Sequence, residues 1–383
     1  MTLLQTFQFF APCPRGLEAL LAQELSQLGA RDVRPSDGGV AFAGAPMLMY
    51  KVNLQSRLAS RVLWKLAERP YRTEEDIYQL ARGVEWPALF ALENTIKVSV
   101  TAVKSPLRSP EFAGLKVKDA VCDAFRAKTG ARPSVDTQEP DMRIQLFLTD
   151  RMAVVYLDTS GEPLFKRGYR RETGAAPLRE NLAAGIVQLS GWNPDEPLLD
   201  PMCGSGTILI EAAMLARKIA PGLKRSFAFQ QFRDFAPAIW QRIKDEAIAA
   251  QTGQPLALFG RDIDARALRH AEANMQAAGV ADAITLQQGD YLDAAAPADH
   301  GVLVTNPPYG VRLEEQQHLM SLYPQWGNVL KQYFAGWRAY FFTGDMQLAK
   351  VIRLKASKRT PLFNGALDCR LFEFVMVKGG NRD

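Results

Sequence analysis

The sequence has few of the residues that bind zinc or form disulfide networks. Four cysteines and three histidines occur among 383 residues, without a C-x-x-C pair and without a histidine cluster. They are Cys13, Cys122, Cys203, Cys369, His270, His300 and His318. This spacing argues against a structural zinc centre and a disulfide framework. We therefore expect no bound metal and a reducing compartment.

Long apolar runs are also missing. No stretch approaches the about 18 to 20 apolar residues that span a bilayer, and the first residues lack the basic segment of a secretory signal. Apolar residues make up 47% of the chain and charged residues 23%, which is typical of a globular protein. We expect a cytoplasmic protein whose net charge of +5 permits, but does not require, a polyanionic partner.

The length predicts two or three domains. Residues 1–68 combine short apolar runs with a helical stripe from Pro14 to Leu28, which predicts a small α+β unit. Residues 69–160 predict a second such unit, with a strand, a helix ending at Gly130 and a β-hairpin that turns at residues 149–151.

From residue 161 to 383 the pattern alternates between helices and continuous apolar strands, which predicts an α/β domain with a doubly wound, mostly parallel sheet. The predicted strands are 197–200, 255–262, 283–290, 301–306 and 338–345. Residues 220–253 interrupt this pattern, and we expect them to form a helical insertion with an aromatic core of its own. The last two strands meet at Asn364–Gly365, which predicts an antiparallel terminal hairpin.

A glycine-containing turn follows the first of these strands. Glycines at a strand-to-helix turn let the backbone approach a ligand, and the helix N-terminus offers amides to a carboxylate or phosphate. The third glycine of a dinucleotide fingerprint and the lysine of a P-loop are both missing. The turn therefore indicates another nucleotide-like ligand, with these candidate binding residues: Asp200, Cys203, Gly204, Ser205, Gly206 and Thr207.

Acids end the next two strands. Asp262, which precedes Ile263, is placed to accept ribose hydroxyls, and Asp290 is placed to accept an exocyclic amine. Each region also has a purely structural interpretation, because Asp264 is a helix N-cap candidate and Asp290 can cap a turn. Consecutive strand ends with ligand-type residues nevertheless favour a binding site at one edge of the sheet.

The fourth strand ends in Asn306, Pro307, Pro308 and Tyr309. The prolines stiffen the loop and leave carbonyl oxygens without local donors. The asparagine oxygen and a carbonyl oxygen can hold the two N–H groups of a base amine, while the tyrosine ring stacks on the base. This tetrad predicts a site that directs an exocyclic amine of adenine or guanine toward an electrophile.

In this order, DPMCGSGT, GRDID, QGD and NPPYG resemble the S-adenosylmethionine motifs of class I amino-methyltransferases. Over nearly the full chain, further segments resemble the RlmL-like, bacterial THUMP-domain methyltransferases that modify guanine N2 of 23S ribosomal RNA. These segments are FFAPCPRGLEALLAQEL, LDTSGEPLFKRGYR, APLRENLAAGIV, APGLKRSFAF and FNGALDCRLF. Some relatives carry a second methyltransferase domain; the chain ends at Asp383, so we expect no modification by such a domain.

This resemblance implies a ferredoxin-like subdomain over residues 1–68, an RNA-binding THUMP domain over 69–160 and a Rossmann-like methyltransferase domain over 161–383. It implies S-adenosylmethionine as cofactor and 23S rRNA or a large-subunit precursor as partner. The glycine turn would hold the methionine part near Asp200, Asp262 the ribose and Asp290 the adenine. Asn306, Pro307 and Tyr309 would receive the target base, and the segment 176–181 would help close the cofactor site.

Two other functions remain open from the sequence. An adenine-N6 methyltransferase acting on DNA or RNA would use the same tetrad, and a non-catalytic RNA-binding assembly factor could retain the cofactor fold. The segment KRGYRR, residues 166–171, is either a phosphate contact or a solvated linker. The oligomeric state is left undetermined by the sequence.

Overall fold

The computed structural model describes residues 6–170, 178–308 and 313–377, with the side chains of 313–318 excepted. The chain divides into two compact units. The first unit contains the residues up to 13 together with 21–164 and 225–245, and the second contains 14–20, 165–224 and the residues from 246 onward. Each unit is built around its own seven-stranded sheet.

The first sheet has the order β2-β3-β1-β4-β7-β6-β5. Its strands are β1 (Phe7–Pro12), β2 (Arg31–Ser36), β3 (Gly39–Gly44), β4 (Leu63–Pro70), β5 (Ile96–Ala102), β6 (Met142–Leu148) and β7 (Met152–Asp158). All neighbours pair antiparallel except β5 and β6. The predicted hairpin is confirmed as β6 and β7, in which Leu148 pairs with Ala153.

The helices of this region are α1 (Glu18–Gln27), α2 (Leu48–Gln55), α3 (Glu74–Arg82), α4 (Trp86–Leu89) and α5 (Pro110–Thr129). The helix α5 ends where the sequence predicts, because Gly130 adopts the left-handed conformation that closes a helix C-terminus. The helix α1 is shorter than the predicted stripe from Pro14 to Leu28.

The aromatic residues of the predicted insertion do not form a separate core. Residues 225–245 group with the first unit, where the Phe229 ring lies 4.5 Å from that of Tyr50 in α2. Trp240 packs edge-on against both rings, at 5.2 Å from Phe229 and 6.2 Å from Tyr50. About twenty residues cannot bury several large rings alone, and the shared core gives those rings a larger apolar surface to pack against.

Residues 14–20 also group with the other unit, although they precede most of the first sheet. The Arg15 guanidinium lies 4.6 Å above the ring centre of Phe363, near the end of the chain, and Leu17 is fully buried. Sequence periodicity gives no sign of this exchange, because it reports local structure and not the partner of an apolar face.

The second sheet has the order β10-β9-β8-β11-β12-β14-β13. Its strands are β8 (Leu198–Asp200), β9 (Leu258–Asp262), β10 (Ile284–Gln288), β11 (Gly301–Thr305), β12 (Trp337–Thr343), β13 (Lys358–Asn364) and β14 (Leu367–Val375). The first five strands run parallel, and β14 pairs antiparallel with β12 and β13. The predicted parallel sheet and terminal hairpin are both confirmed.

The remaining helices are α6 (Glu180–Leu189), α7 (Thr207–Ala216), α8 (Pro237–Ala249), α9 (Ala265–Ala278), α10 (Leu313–Tyr333) and α11 (Leu348–Val351). Helices α10 and α11 cover one face of the second sheet in a core that includes Trp326, Phe341 and Ile352, and Phe259 of β9 packs against it. On the other face, Leu209 of α7 lies beside Gly260. Helices therefore cover both faces, as a doubly wound fold requires.

Strand β8 lies between β9 and β11. After β8 the chain adds β9 and β10 on one side of it, and then adds β11 and β12 on its other side. In such sheets a ligand crevice forms at the carboxyl ends of the strands where the order reverses. Among the described helices, none has the length and apolar character to cross a membrane.

Candidate cofactor and base site

The turn between β8 and α7 depends on two glycines with positive φ. Gly204 has φ +54° and Gly206 has φ +78°, a region that side chains other than glycine rarely adopt. The Gly206 amide donates to the Cys203 carbonyl over 2.8 Å, which closes the turn. No atom lies within 4 Å of the place where a Cβ on Gly204 would stand, so the backbone borders open space there.

Asp262, at the end of β9, holds this turn directly. The Gly204 amide donates to its Oδ2 over 2.8 Å, and the Asp264 amide donates to its Oδ1 over 2.9 Å. Both carboxylate oxygens are thereby fixed, and each retains a lone pair for a further donor. The sequence suggests a ligand role for this acid but gives no indication that it also positions the glycine turn.

Asp200 is the most buried acid of the site, with 1% of its surface exposed. Its Oδ1 accepts from the Thr305 hydroxyl over 2.9 Å and from the Met202 amide over 3.2 Å. Burial raises the pKa of this carboxyl from 3.8 to about 7, and the negative charge of Asp262 adds to the rise, whereas the two donors oppose it. This carboxyl therefore changes charge near neutral pH.

Asp290 shows the capping geometry that the sequence leaves open as an alternative. Its Oδ1 accepts from the Leu292 amide over 3.0 Å at the start of the 3-10 helix Tyr291–Asp293. Its backbone carbonyl accepts from Arg261 Nε over 2.8 Å. Capping occupies one acceptor position of a carboxylate, so the side chain remains able to bind a ligand. Ile263, beside Asp262, exposes 67% of its surface.

The segment after β11 begins at the same edge of the sheet. Thr305 is fully buried, Asn306 is half-buried, Pro307 is buried and Pro308 is exposed. Tyr309 lies outside the described residues, as does the part of the predicted closing segment that precedes residue 178. The bond from Thr305 to Asp200 ties the start of this segment to the strand before the glycine turn.

Two residues for which the sequence predicts no role at the cofactor site support the glycine turn. The Asn274 amide in α9 donates to the Ser205 carbonyl over 3.1 Å, and Arg170 Nη2 donates to the Thr207 hydroxyl over 3.0 Å. Asn274 is 1% exposed, so this contact is shielded from water. The sequence signal for this contact is weak, because it consists of one asparagine in a helix that is predicted from its apolar periodicity.

The arginines of KRGYRR that the structure describes point into the protein and pair with acids. They are therefore not placed as phosphate ligands. Arg170 Nε donates to Glu180 Oε1 over 3.0 Å, and Arg167 lies 3.4 Å from Glu211 with both side chains buried. The Tyr169 hydroxyl donates to the same Glu211 over 3.1 Å. These are internal ion pairs, which the sequence cannot distinguish from an exposed basic cluster because the acids lie 10 and 44 residues further along the chain.

The described residues contain no group of three or more histidine, cysteine, aspartate or glutamate side chains that could hold a metal. All four cysteines are buried thiols outside any disulfide. Burial raises the pKa of the Cys203 thiol well above its usual value, so it remains protonated and packs within the turn. The arrangement of two fixed carboxylates and an open glycine turn suits a ligand that carries hydroxyl groups and an ammonium group.

Comparison with protein-family models gives a match to the RMKL-like methyltransferase domain over residues 167–373. Residues 71–158 match the THUMP domain, and residues 8–63 match the RlmL ferredoxin-like domain. The chain is 41% identical over 379 residues to the ribosomal RNA large subunit methyltransferase K/L of Photobacterium profundum. That alignment covers 97% of this chain and 53% of the relative, so the chain spans about half of the relative's length.

Solved structures with the same fold cover the whole chain. SMU.472, crystallised in complex with S-adenosylhomocysteine (SAH), is 34% identical, with a TM-score of 0.88 and 100% of both chains covered. A Listeria monocytogenes protein described as a "predicted N6-adenine-specific DNA methylase" is 32% identical, with a TM-score of 0.89 and 97% of both chains covered. TrmN from Thermus thermophilus, at 19% identity and a TM-score of 0.71, shares the fold.

Proposed function

Since this chain belongs to the RMKL-like methyltransferase family and uses S-adenosylmethionine as its cofactor, we propose that it methylates the exocyclic N2 amine of a guanine in 23S ribosomal RNA. The substrate, a 23S rRNA or a large-subunit precursor, is inferred from the match of residues 71–158 to THUMP and from the name of the K/L relative. Because the chain spans half of that relative, its substrate is part of the proposal.

The bond between the Gly204 amide and Asp262 Oδ2 is the observation that carries the cofactor assignment. It makes the glycine turn and the acid of β9 one rigid unit, with open space beside Gly204. We assign the methionine part of the cofactor to the turn formed by Cys203, Gly204, Ser205, Gly206 and Thr207. Asp200 would accept from its amino group, and ionised Asp200 suits that role because an ammonium beside it favours the charged form.

The other end of the cofactor would lie along the ends of β9 and β10. The free lone pairs of Asp262 suit the two ribose hydroxyls, and Asp290 retains an acceptor for the adenine amine. The exposed side chain of Ile263 offers an apolar surface to the adenine ring. A ligand in this position would cover an apolar residue that water now contacts, which stabilises the complex.

Catalysis would depend on position rather than on a strong base. The bound cofactor supplies an activated methyl group. The side-chain oxygen of Asn306, which also borders the cofactor, and the carbonyl oxygen of Pro307 would accept the two N–H groups of the amine and direct its nitrogen lone pair. Pro308 stiffens the loop, and Tyr309 would stack on the flipped base. The bond from Thr305 to Asp200 supports this assignment because it links the amine-binding segment to the cofactor turn.

A second function is favoured by one observation. The Listeria relative, 32% identical over 97% of both chains, bears the name of an adenine-N6 DNA methylase. The acceptors of Asn306 and Pro307 suit an adenine amine as well as a guanine amine. Under this alternative the base would be adenine in DNA or RNA, with the same cofactor site.

Tritium transfer from labelled S-adenosylmethionine tests the proposal. The protein is incubated separately with 23S rRNA and with duplex DNA, and the labelled product is digested to nucleosides. We expect label in N2-methylguanosine from rRNA. Label in N6-methyladenosine or N6-methyldeoxyadenosine would favour the second function, and no label with either substrate would contradict both. The Asn306→Ala variant serves as the matched control for contaminating methyltransferases.

A further inference from the structure

A strip of positive charge runs from the segment after β12 to the first residues of β13. No acidic residue occurs from Met346 to Leu367, whereas this stretch contains the five cations that we call the basic strip: Lys350, Arg353, Lys355, Lys358 and Arg359. All five side chains are exposed. The net charge of the whole chain is also +5, so the positive and negative charges of the remaining residues are equal in number.

The cations of the basic strip form no ion pairs within the parts of the chain that the structure describes. Glu373 of β14 lies opposite Lys358 in the strand register, but its two carboxylate oxygens accept from the Tyr340 and Ser357 hydroxyls, over 2.6 and 2.9 Å. The cations are therefore available to an anionic partner.

Apolar residues between the cations hold the strip in place. Leu348 and Ile352 are fully buried in the core beneath α10, and Leu354 and Ala356 pack against that core. This alternation turns the apolar side chains inward and leaves the basic side chains on the surface. An anchored backbone loses less conformational entropy on binding than a free basic tail does.

Arg353 occupies a backbone conformation that is unfavourable for a long side chain. Its φ is +58°, in the left-handed region where glycine and asparagine are preferred. The surrounding structure must compensate for the strain, as it also does at Lys218, where φ is +54°. An arginine here keeps a cation at a site where glycine would fit the backbone better.

We propose that the basic strip binds backbone phosphates of the RNA substrate, an inference that rests on the proposed function. The first member of the strip, Lys350, follows the end of β12 by seven residues, and β12 is the neighbour of β11, whose end leads to Asn306. The last member, Arg359, lies at the level of Thr305, three strands away from β11, because Arg359 pairs with Phe372, which pairs with Phe341, the partner of Thr305. Phosphate contacts of this kind position a nucleic acid without reading its sequence.

Filter binding of a 23S rRNA transcript at several KCl concentrations tests the strip. The test variant is Lys350→Gln/Lys355→Gln, and the charge-preserving variant is Lys350→Arg/Lys355→Arg. A matched control, Lys218→Asn/Arg269→Gln, removes two exposed cations outside the strip, one just after α7 and one within α9. Losing two phosphate contacts lowers the slope of log K against log salt by about 1.4 to 1.8, which corresponds to an affinity loss of about tenfold or more near 0.15 M salt.

We expect that loss for the test variant alone, with cofactor affinity unchanged by calorimetry. Two results would contradict the role of the strip in RNA binding and leave the proposed function intact. One is equal RNA affinity of the test variant and the unmodified protein. The other is an equal loss of RNA affinity in the test and control variants. If the unmodified protein neither binds nor methylates the transcript, the proposed function fails and the strip with it.

Arg353→Asn provides an independent measurement. Asparagine tolerates a positive φ, so the melting temperature should stay level or rise, while the RNA affinity should fall about fourfold through the loss of one phosphate contact. A variant that loses stability and leaves RNA affinity unchanged would show that Arg353 has a structural role only, and would contradict its place in the strip.

Discussion

Thr305 at the end of β11 donates its hydroxyl hydrogen to Asp200 Oδ1 at the end of β8, over 2.9 Å, and both residues are buried. The two strands are neighbours on either side of the point where the sheet order reverses. The bond therefore joins the strand that precedes the glycine turn to the strand that precedes Asn306. We therefore expect that a substitution at one of these strand ends also affects the other.

Replacing Thr305 by valine tests this coupling. Valine keeps the shape of the side chain but removes the donor, so the buried Asp200 carboxyl loses one of its partners. We expect the free energy of unfolding to fall by about 1 to 3 kcal/mol, measured by urea denaturation. Thr305→Ser, which keeps the hydroxyl, should recover most of the loss; equal losses in both variants would assign the effect to packing.

The raised pKa of Asp200 makes the stability of the free protein depend on pH. The folded protein has a pKa of about 7 at this carboxyl against 3.8 as its ordinary value. Between pH 4 and 7 the folded state therefore binds a proton that the unfolded state lacks, and rising pH reduces stability. We expect unmodified protein to lose stability relative to Asp200→Asn between about pH 4 and 7, with no further change above about pH 8.

Urea titrations of both proteins at several pH values provide the measurement. The asparagine side chain cannot ionise, so the difference between the two curves isolates this one group. A difference that stays constant from about pH 5 to 7 would show that the carboxyl is ionised in the folded state throughout this range and would contradict the raised pKa.

The strand ends were predictable because each strand has a local signature, an apolar run followed by Gly-x-Gly, Asp or Asn-Pro-Pro. The parallel order then brings these ends together without any long-range information in the sequence. The role of Asp262 as acceptor for the Gly204 amide was not predictable, because it depends on the separation of two loops in space.

Other features could not be predicted from the sequence for the same reason. Arg167 and Arg170 lie in a basic hexapeptide, but their partners Glu211 and Glu180 come from helices elsewhere in the chain. Phe229 and Trp240 look like the core of an insertion, yet Tyr50 completes their packing. A local pattern identifies which side chains are buried and which are charged. It does not identify their partners.

Asp262 and Asp264 form a natural pair for separating cofactor binding from folding. Asp262→Ala should weaken S-adenosylmethionine binding by about 1 to 3 kcal/mol, because the ribose hydroxyls and the Gly204 amide would lose an acceptor. Asp264 instead caps α9 by accepting from the Arg266 amide over 2.8 Å. Asp264→Ala should lower the stability of the protein through loss of the helix cap, with an unchanged dissociation constant for the cofactor. Calorimetry and denaturation check both, and the reverse pattern would exchange the two roles.

The two glycines of the turn should respond differently to alanine. A Cβ on Gly206 would stand 3.2 Å from the Ala271 Cβ, whereas a Cβ on Gly204 would enter open space. Both substitutions strain a left-handed residue by about 1 to 2 kcal/mol. We expect Gly206→Ala to be the less stable of the two variants. Relative to its loss of stability, Gly204→Ala should show the larger loss of cofactor affinity. If the two variants lose cofactor affinity in the same proportion to their losses of stability, the methionine part lies away from Gly204.

Asn306→Ala separates chemistry from binding. Removing the side-chain oxygen deletes one of the two acceptors that would direct the amine, so we expect the rate of methyl transfer to rRNA to fall on the order of 10² to 10³. Cofactor affinity, measured by calorimetry, should change little because the turn and its acids remain. Asn193→Ala, at an exposed asparagine before β8, should leave transfer within about twofold of the unmodified rate, as expected for a surface change. Parallel losses of cofactor affinity and transfer in Asn306→Ala would mean that Asn306 maintains the cofactor site and does not act on the base.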